Sequence, residues 1–174
     1  MVSPDVYLSV RAQLEAWRPG APAGPLLRAA WSVRRSLPVR IAGVDVVRIA
    51  SSTWPDTHAA LREWGIPRGP VLVTLPRACV ELAVPLGTAT TWPALPTTRC
   101  VRGAIVRCPA PSICARDGLH VEGRTWLYPP TDDPTVPDTT DAAALADAVR
   151  TALRRANERR QLHDSHDSRE GFRP

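Results

Sequence analysis

The sequence predicts an α+β domain in which helices pack on a mixed or antiparallel sheet. Two observations carry this expectation. A chain of 174 residues with 44% hydrophobic content can bury a core of its own without a metal or disulfide framework. Its hydrophobic periodicities also run in an unalternated order: two helical stretches, a β-branched run, a helix, a series of strands and a last helix.

Residues 5–17, DVYLSVRAQLEAW, place Val6, Val10, Leu14 and Trp17 close to every fourth position, the spacing of one helix face. RPGAPAGP ends that helix. Leu26, Leu27, Ala30, Trp31 and Val33 mark a second, with Arg34 and Arg35 where positive charge meets the negative end of the helix dipole, and Pro38 closes it. Residues 1–37 are thus expected as N-terminal helices packed on a core spanning 38–130. In that core VRIAGVDVVRIA (39–50) reads as one buried strand, or two meeting at Gly43. SSTWPDTHAALREWG offers a Ser or Thr N-cap, Pro55 in the first turn, apolar Ala59, Ala60, Leu61 and Trp64, and Gly65 as the stop, which together spell a helix. GPVLVTLPRACVELAVPLG reads as strands 70–75 and 79–84 joined at Pro76-Arg77, and 99–108 and 119–128 are two more strands around the loop PAPSICARDG. PPTDDPTVPDTTD holds four prolines and four aspartates without an arginine, so 131–140 reads as an acidic, Pro-rich linker. Residues 141–162 form the clearest helix, with Leu145, Val149, Ala152, Leu153 and Ala156 inward and Asp141 near its positive end. The tail 163–174 is expected to be disordered.

The chain contains no lysine, so all 22 basic residues are arginine against 17 acidic ones, a net charge of +5. That balance suits nucleic acid, but the Arg, Ala, Pro and Gly bias is also what GC-rich coding imposes, and arginine content alone does not identify a phosphate binder. The N-terminus lacks a signal-peptide pattern and no stretch nears the roughly 20 apolar residues of a membrane span, so a cytoplasmic protein with no membrane partner is expected. Its cysteines, at 79, 100, 108 and 114, would then be reduced thiols. Their spacing has no Cys-x-x-Cys knuckle; His120 would have to complete any zinc site, and free thiols, with no metal and no cofactor, are the expectation. HDSHDS (163–168) reads as a flexible polar tail rather than a chelator built on His163 and His166.

Four strings, GVDVV (43–47), GPVLVTLPRACVELAVPLG (69–87), CVRGAIVRCPAPS (100–112) and GRTWLYPP (123–130), occur in an order that resembles the N-terminal primase-polymerase (Prim-Pol) domain of the archaeo-eukaryotic primase superfamily, over about residues 38–130. The likeness is greatest to small actinobacterial-type proteins that keep the skeleton and lose its catalytic groups. The resemblance implies a Prim-Pol-like core, and it implies lost chemistry. Asp45 stands at the first carboxylate of the family motif, Val47 at the second, Cys79 where the family has its nucleotide-contacting histidine, and Cys100 at the third acidic position. One carboxylate cannot hold the two hard cations of phosphoryl transfer, and a thiol is a poor magnesium ligand. Asp45 is then either a relic of a catalytic position or a strand-end aspartate beside Gly43.

The expected function is therefore non-catalytic: a domain that binds nucleic acid or a protein partner in DNA replication or its regulation. A scaffold module without nucleic-acid binding is the alternative, and a nuclease or nucleotidyl transferase pairing Asp45 with Asp117 or Glu81 the second. The candidate nucleic-acid contacts are Arg150, Arg154, Arg155 and Arg159 along the last helix, Arg102 and Arg107 in the strand region, and Trp92 as an exposed stacking residue in TTWPALPTT. By parity Arg99 cannot share a strand face with Arg102 without a bulge, whereas Arg99 and Arg107 can share one.

Overall fold

Two long antiparallel ribbons, each bent at a glycine, organise the chain. In the computed structural model, which describes residues 15–18 and 20–170, the strands are β1 (Ala16–Trp17), β2 (Leu37–Ile41), β3 (Val44–Ala50), β4 (Val71–Thr74), β5 (Cys79–Pro85), β6 (Thr98–Arg102), β7 (Ile105–Cys108) and β8 (Arg124–Tyr128). The helices are α1 (Pro25–Ser32), α2 (Trp54–Glu63), α3 (Thr88–Thr91) and α4 (Ala142–Glu170). β3 pairs with β6 in a five-stranded antiparallel sheet ordered β6-β3-β5-β4-β8, whereas β2 pairs with β7 in a three-stranded sheet ordered β1-β2-β7, mixed because β1 lies parallel to β2. Asp45 faces Arg102 but Arg40 faces Ile105, so Ala42 and Gly43 are extra residues relative to the partner ribbon. Such a bulge turns a strand from one sheet into the next, and the positive φ of Gly43 (72°) and Gly103 (57°) sits at the corner. The fold is α+β, as expected.

The five-stranded sheet is covered on both faces. Val44, Val46, Leu72 and Trp126 pack against Val39, Ile41, Val106 and Cys108 of the small sheet and against Leu27 of α1. Val47, Ile49, Val71, Val80, Leu82 and Val84 pack against Trp54, Ala60 and Leu61 of α2 and Leu145, Ala148 and Val149 of α4. Strands buried on both faces read as near-continuous apolar runs, which is what VDVVRIA and CVELAVP are.

Local signals place most ends. Thr53 is the N-cap of α2, but its hydroxyl bonds Thr97 Oγ1 (2.9 Å) instead of the helix. At the other end Gly65 N–H donates to Arg62 O (3.1 Å) and Ile66 N–H to Leu61 O (3.0 Å), a Schellman stop at a left-handed glycine. Asp141 Oδ1 accepts the Ala144 N–H (2.7 Å) and caps α4.

Several expectations are corrected. Trp17 is not the end of a helix: it lies in β1, buried edge-on against Trp31 at 5.7 Å between ring centroids. Val6, Val10 and Leu14 lie outside the described residues. The strand expected over 99–108 breaks at Gly103-Ala104, and that over 119–128 begins only at Arg124, after a turn with Glu122 at φ 50°. The segment expected as a linker is fastened to the body: buried Thr140 donates its N–H to Ala83 O (2.9 Å) and accepts the Gly69 N–H (3.1 Å), and Asp138 meets Arg18 (3.2 Å). A side chain at Gly69 would touch the Asp138 backbone at 3.0 Å, so the strap needs glycine beneath it. The tail is helical as far as Glu170. No helix among the described residues is long and apolar enough to cross a membrane.

α2 meets β8 through a ring stack. His58 lies on Trp54 (5.4 Å between centroids), its Nε2 is 3.0 Å from Tyr128 Oη, and the Arg68 guanidinium sits 3.6 Å above the Tyr128 ring. Burial first, then the charges of Arg68 and Arg62, lower the His58 pKa below its ordinary 6.5. The unfolded chain therefore takes up this proton first as pH falls. His58's contribution is complete above about pH 6.5 and is lost as pH drops through that value toward the folded pKa. Thermal melts from pH 7.5 to 5 should show a falling Tm whose slope flattens in His58→Gln; an identical slope in the variant would contradict this.

Candidate functional site

Toward one end of the face that packs on the small sheet, the strands change from apolar to polar. Val101 gives way to Arg99 on β6, Val46 to Arg48 on β3, Ala83 to Glu81 on β5, Leu72 to Thr74 on β4 and Trp126 to Arg124 on β8. Arg48 lies directly opposite both Arg99 and Glu81, and Thr74 opposite Arg124, one step further along.

Glu81 anchors this end, its side chain only 2% exposed. Its Oε1 accepts from Arg48 Nε (2.7 Å) and Arg77 Nη1 (3.1 Å), and its Oε2 accepts from Thr74 Oγ1 (3.0 Å). A buried carboxylate so bonded holds two guanidiniums in fixed orientation while leaving most of their N–H groups unused. Arg48, Arg77 and Arg99, with Ala50, Ala78, Cys79, Thr97 and Thr98, line an open cleft of about 330 Å³. Arg99 makes no hydrogen bond or ion pair among the described residues. Two of the four non-glycine residues at positive φ among the described residues, Ala78 (47°) and Thr97 (64°), lie on its rim. Left-handed backbone at such residues costs about 1–2 kcal/mol each and gathers at functional positions.

The electrostatics around the cleft are one-sided. Arg124 lies two strands from Glu81 on the same face, its pKa lowered by burial first and the charge of Arg107 second, against the opposing charges of Glu122 and Glu81. Burial first and the Glu81 charge second raise the Cys79 pKa, favouring the neutral thiol despite its arginine neighbours.

The residues expected to bind nucleic acid do not form one surface. Arg155 makes a two-pronged pair with Glu63 (2.8 and 3.3 Å) and Arg159 pairs with Asp56, so these two fasten α4 to α2. Arg150 pairs with Asp147 one turn back, and Arg154 is exposed without a partner among the described residues. Trp92 is not an exposed stacking residue: it packs on the helix-side core and donates its indole N–H to Thr98 Oγ1 (3.1 Å). Arg102 lies on the helix-side face of β6 opposite Asp45, while Arg107 points from the outer face of the small sheet to Glu122 (3.4 Å) and the Ser36 carbonyl (3.3 Å). Arg99 and Arg107 thus lie in different sheets and share no face. No protein-family model, curated protein or solved structure matches this chain.

Asp45 and Cys79 lie on opposite faces of the five-stranded sheet, so these two positions of the family motif do not converge. Asp45, with no exposed surface, accepts the Gly87 and Ala89 N–H groups on Oδ2 (2.9 and 2.8 Å) and holds the first turn of α3; its Oδ1 has no hydrogen-bond partner. Cys100 is beside it, its thiol pushed up to about 11 by burial first and the Asp45 charge second. Cys108 and Cys114 lie in the core between the sheets, on the other side from Cys100. Among the described residues no group of three His, Cys, Asp or Glu is placed to hold a metal ion.

Sequence reasoning missed Arg48, Arg77 and Arg124. A signal for the first was present: Arg48 and Glu81 are charges inside otherwise apolar strands, and opposite charges in such positions are expected to meet.

Proposed function

We propose that this chain is a non-catalytic nucleic-acid-binding domain on a Prim-Pol-like α+β frame, and that it holds a phosphate backbone at the arginine end of its five-stranded sheet. The observation that carries the reading is the convergence of Arg48, Arg77, Arg99 and Arg124 from four elements onto one end of the sheet, with Arg107 nearby. Arginine forks suit phosphate oxygens, and contacts of this kind position a nucleic acid without reading its bases. The last helix is a weaker candidate, because Arg155 and Arg159 already hold carboxylates. The non-catalytic part rests on the Asp45 carboxylate, whose Oδ2 is committed to the α3 backbone.

Arg77, Arg99 and Arg124 can be exchanged for glutamine without removing the closest partner of Glu81. Binding of a short duplex, measured by anisotropy at several salt concentrations, should show a log-log slope that shrinks by about 0.9 per arginine removed. Glutamines at Arg150, Arg154, Arg155 and Arg159 should change it by less than half as much. Absence of binding at low salt, or an unchanged slope in the sheet variant, would overturn the reading in favour of a protein-interaction module.

A further inference from the structure

We infer that the cleft between Arg48, Arg77 and Arg99 is a seat that prefers a phosphate monoester dianion, the end of a nucleic-acid strand or a free phosphorylated small molecule, over the internal diesters of the backbone that the arginine row also holds. The inference rests on the binding reading above and sharpens what its central cleft takes.

Charge comes first. Three arginines line the cleft and Glu81 cancels one of them, leaving two positive charges. A monoester carries close to two negative charges at neutral pH and three strong acceptor oxygens, whereas a diester carries one charge and two such oxygens. The available donors match the richer acceptor. Arg48 spends only Nε on Glu81, Arg77 only one Nη, and Arg99 nothing. Two Nη groups of Arg48, the Nε and second Nη of Arg77 and the full fork of Arg99 therefore remain around one volume.

Rigidity and size agree with this. Arg48 and Arg77 share one buried carboxylate, so two of the three forks are fixed before any ligand arrives, and Arg99 rises from the position directly opposite Arg48 on the paired strand, free to close on the ligand. A volume of about 330 Å³ is at the small end of ligand clefts, room for one phosphorylated unit. No aromatic side chain among the described residues lines it, so none of them stacks on a base there, and recognition is of the phosphate whatever the base.

The test uses the full chain and three probes: an oligonucleotide ending in a phosphate, the same strand ending in a hydroxyl, and inorganic phosphate alone. The phosphorylated strand should bind about tenfold more tightly than the hydroxyl strand. That advantage should vanish in Arg99→Gln, shrink as pH falls through about 6 where the phosphate takes up its second proton, and be competed away by inorganic phosphate. Calorimetry with inorganic phosphate or a nucleoside monophosphate reads the seat without any polymer. Small-molecule binding, lost in Arg99→Gln, without binding of either strand would sustain the seat, assign it to a free ligand and overturn the backbone reading. Equal binding of the two strands together with no phosphate binding would overturn the seat while the backbone reading stands. If none of the probes binds, both fall. Because Arg99 has no hydrogen-bond or ion-pair partner among the described residues, an Arg99→Gln variant that melts with the parent ties any loss to the cleft.

Discussion

The Glu81→Leu variant is expected to lose about 3 kcal/mol of stability, read as a lower urea midpoint at unchanged m-value. Leucine nearly fills the glutamate's volume, so the loss is electrostatic rather than that of a cavity. With the carboxylate gone, the Arg48 and Arg77 guanidiniums and the Thr74 hydroxyl lose their common acceptor on the buried end of a sheet. Stripping one partner from a buried pair typically costs about 3–5 kcal/mol. The lower end applies because the Arg48 side chain is 22% exposed and that of Arg77 49%, so both can turn partly toward water. Adding Arg48→Met should restore much of the loss, since replacing both members of a pair by apolar groups removes the orphaned charge. A Glu81→Leu chain within about 0.5 kcal/mol of the parent would mean that Glu81 does not hold the arginines as described.

The Asp45→Ala variant is expected to lose about 2–3 kcal/mol, because two backbone N–H groups at the start of α3 would be left without an acceptor beside a buried strand. Asp45→Asn separates a structural role from a metal-binding relic. Both N–H groups bond the same oxygen, and the other oxygen has no partner, so an asparagine can keep its carbonyl toward α3 and put its amide where nothing is lost. It should retain most of the stability, with a loss of about 1 kcal/mol or less. If asparagine proved as damaging as alanine in denaturant melts, the carboxylate charge itself would be required and the capping account would fail.

How far these features are legible in the sequence depends on whether the information is local. The bounds of α2 and of the β4–β5 pair follow from Pro55, Gly65 and the turn around Pro76, signals that act within a few residues, whereas α1 stops at Ser32, short of the Arg34, Arg35 and Pro38 read as its end, and Pro38 lies in β2. β1 was not legible, since Trp17 continues a helical spacing and only its parallel pairing with β2 makes it a strand. The strap at 131–140 has a linker's composition, and Thr140, which ties it down, looks like any threonine until Gly69 is placed beneath it. The arginine helix misled for the same reason: its charges are visible in sequence, but the Glu63 and Asp56 that occupy two of them are about ninety to a hundred residues away, at separations of 92 and 103. The cleft is the converse case. Arg48, Arg77 and Arg99 are spread over fifty residues of sequence and become neighbours only through the β6-β3-β5 order.

The bent ribbons also govern how this chain comes apart. β2–β3 and β6–β7 each belong to both sheets, so the β2–β7 and β3–β6 pairings are two parts of one ribbon, and losing either loosens the other. Separate opening of the two sheets is thereby disfavoured, and they are expected to melt as one cooperative unit, with calorimetric and van't Hoff enthalpies that agree. The same feature slows its assembly. Residue 40 must find residue 105 before the small sheet is complete, as residue 45 must find residue 102 for the large one, and loop closures of that length put the search among the slower folding topologies, on a timescale of about milliseconds to seconds.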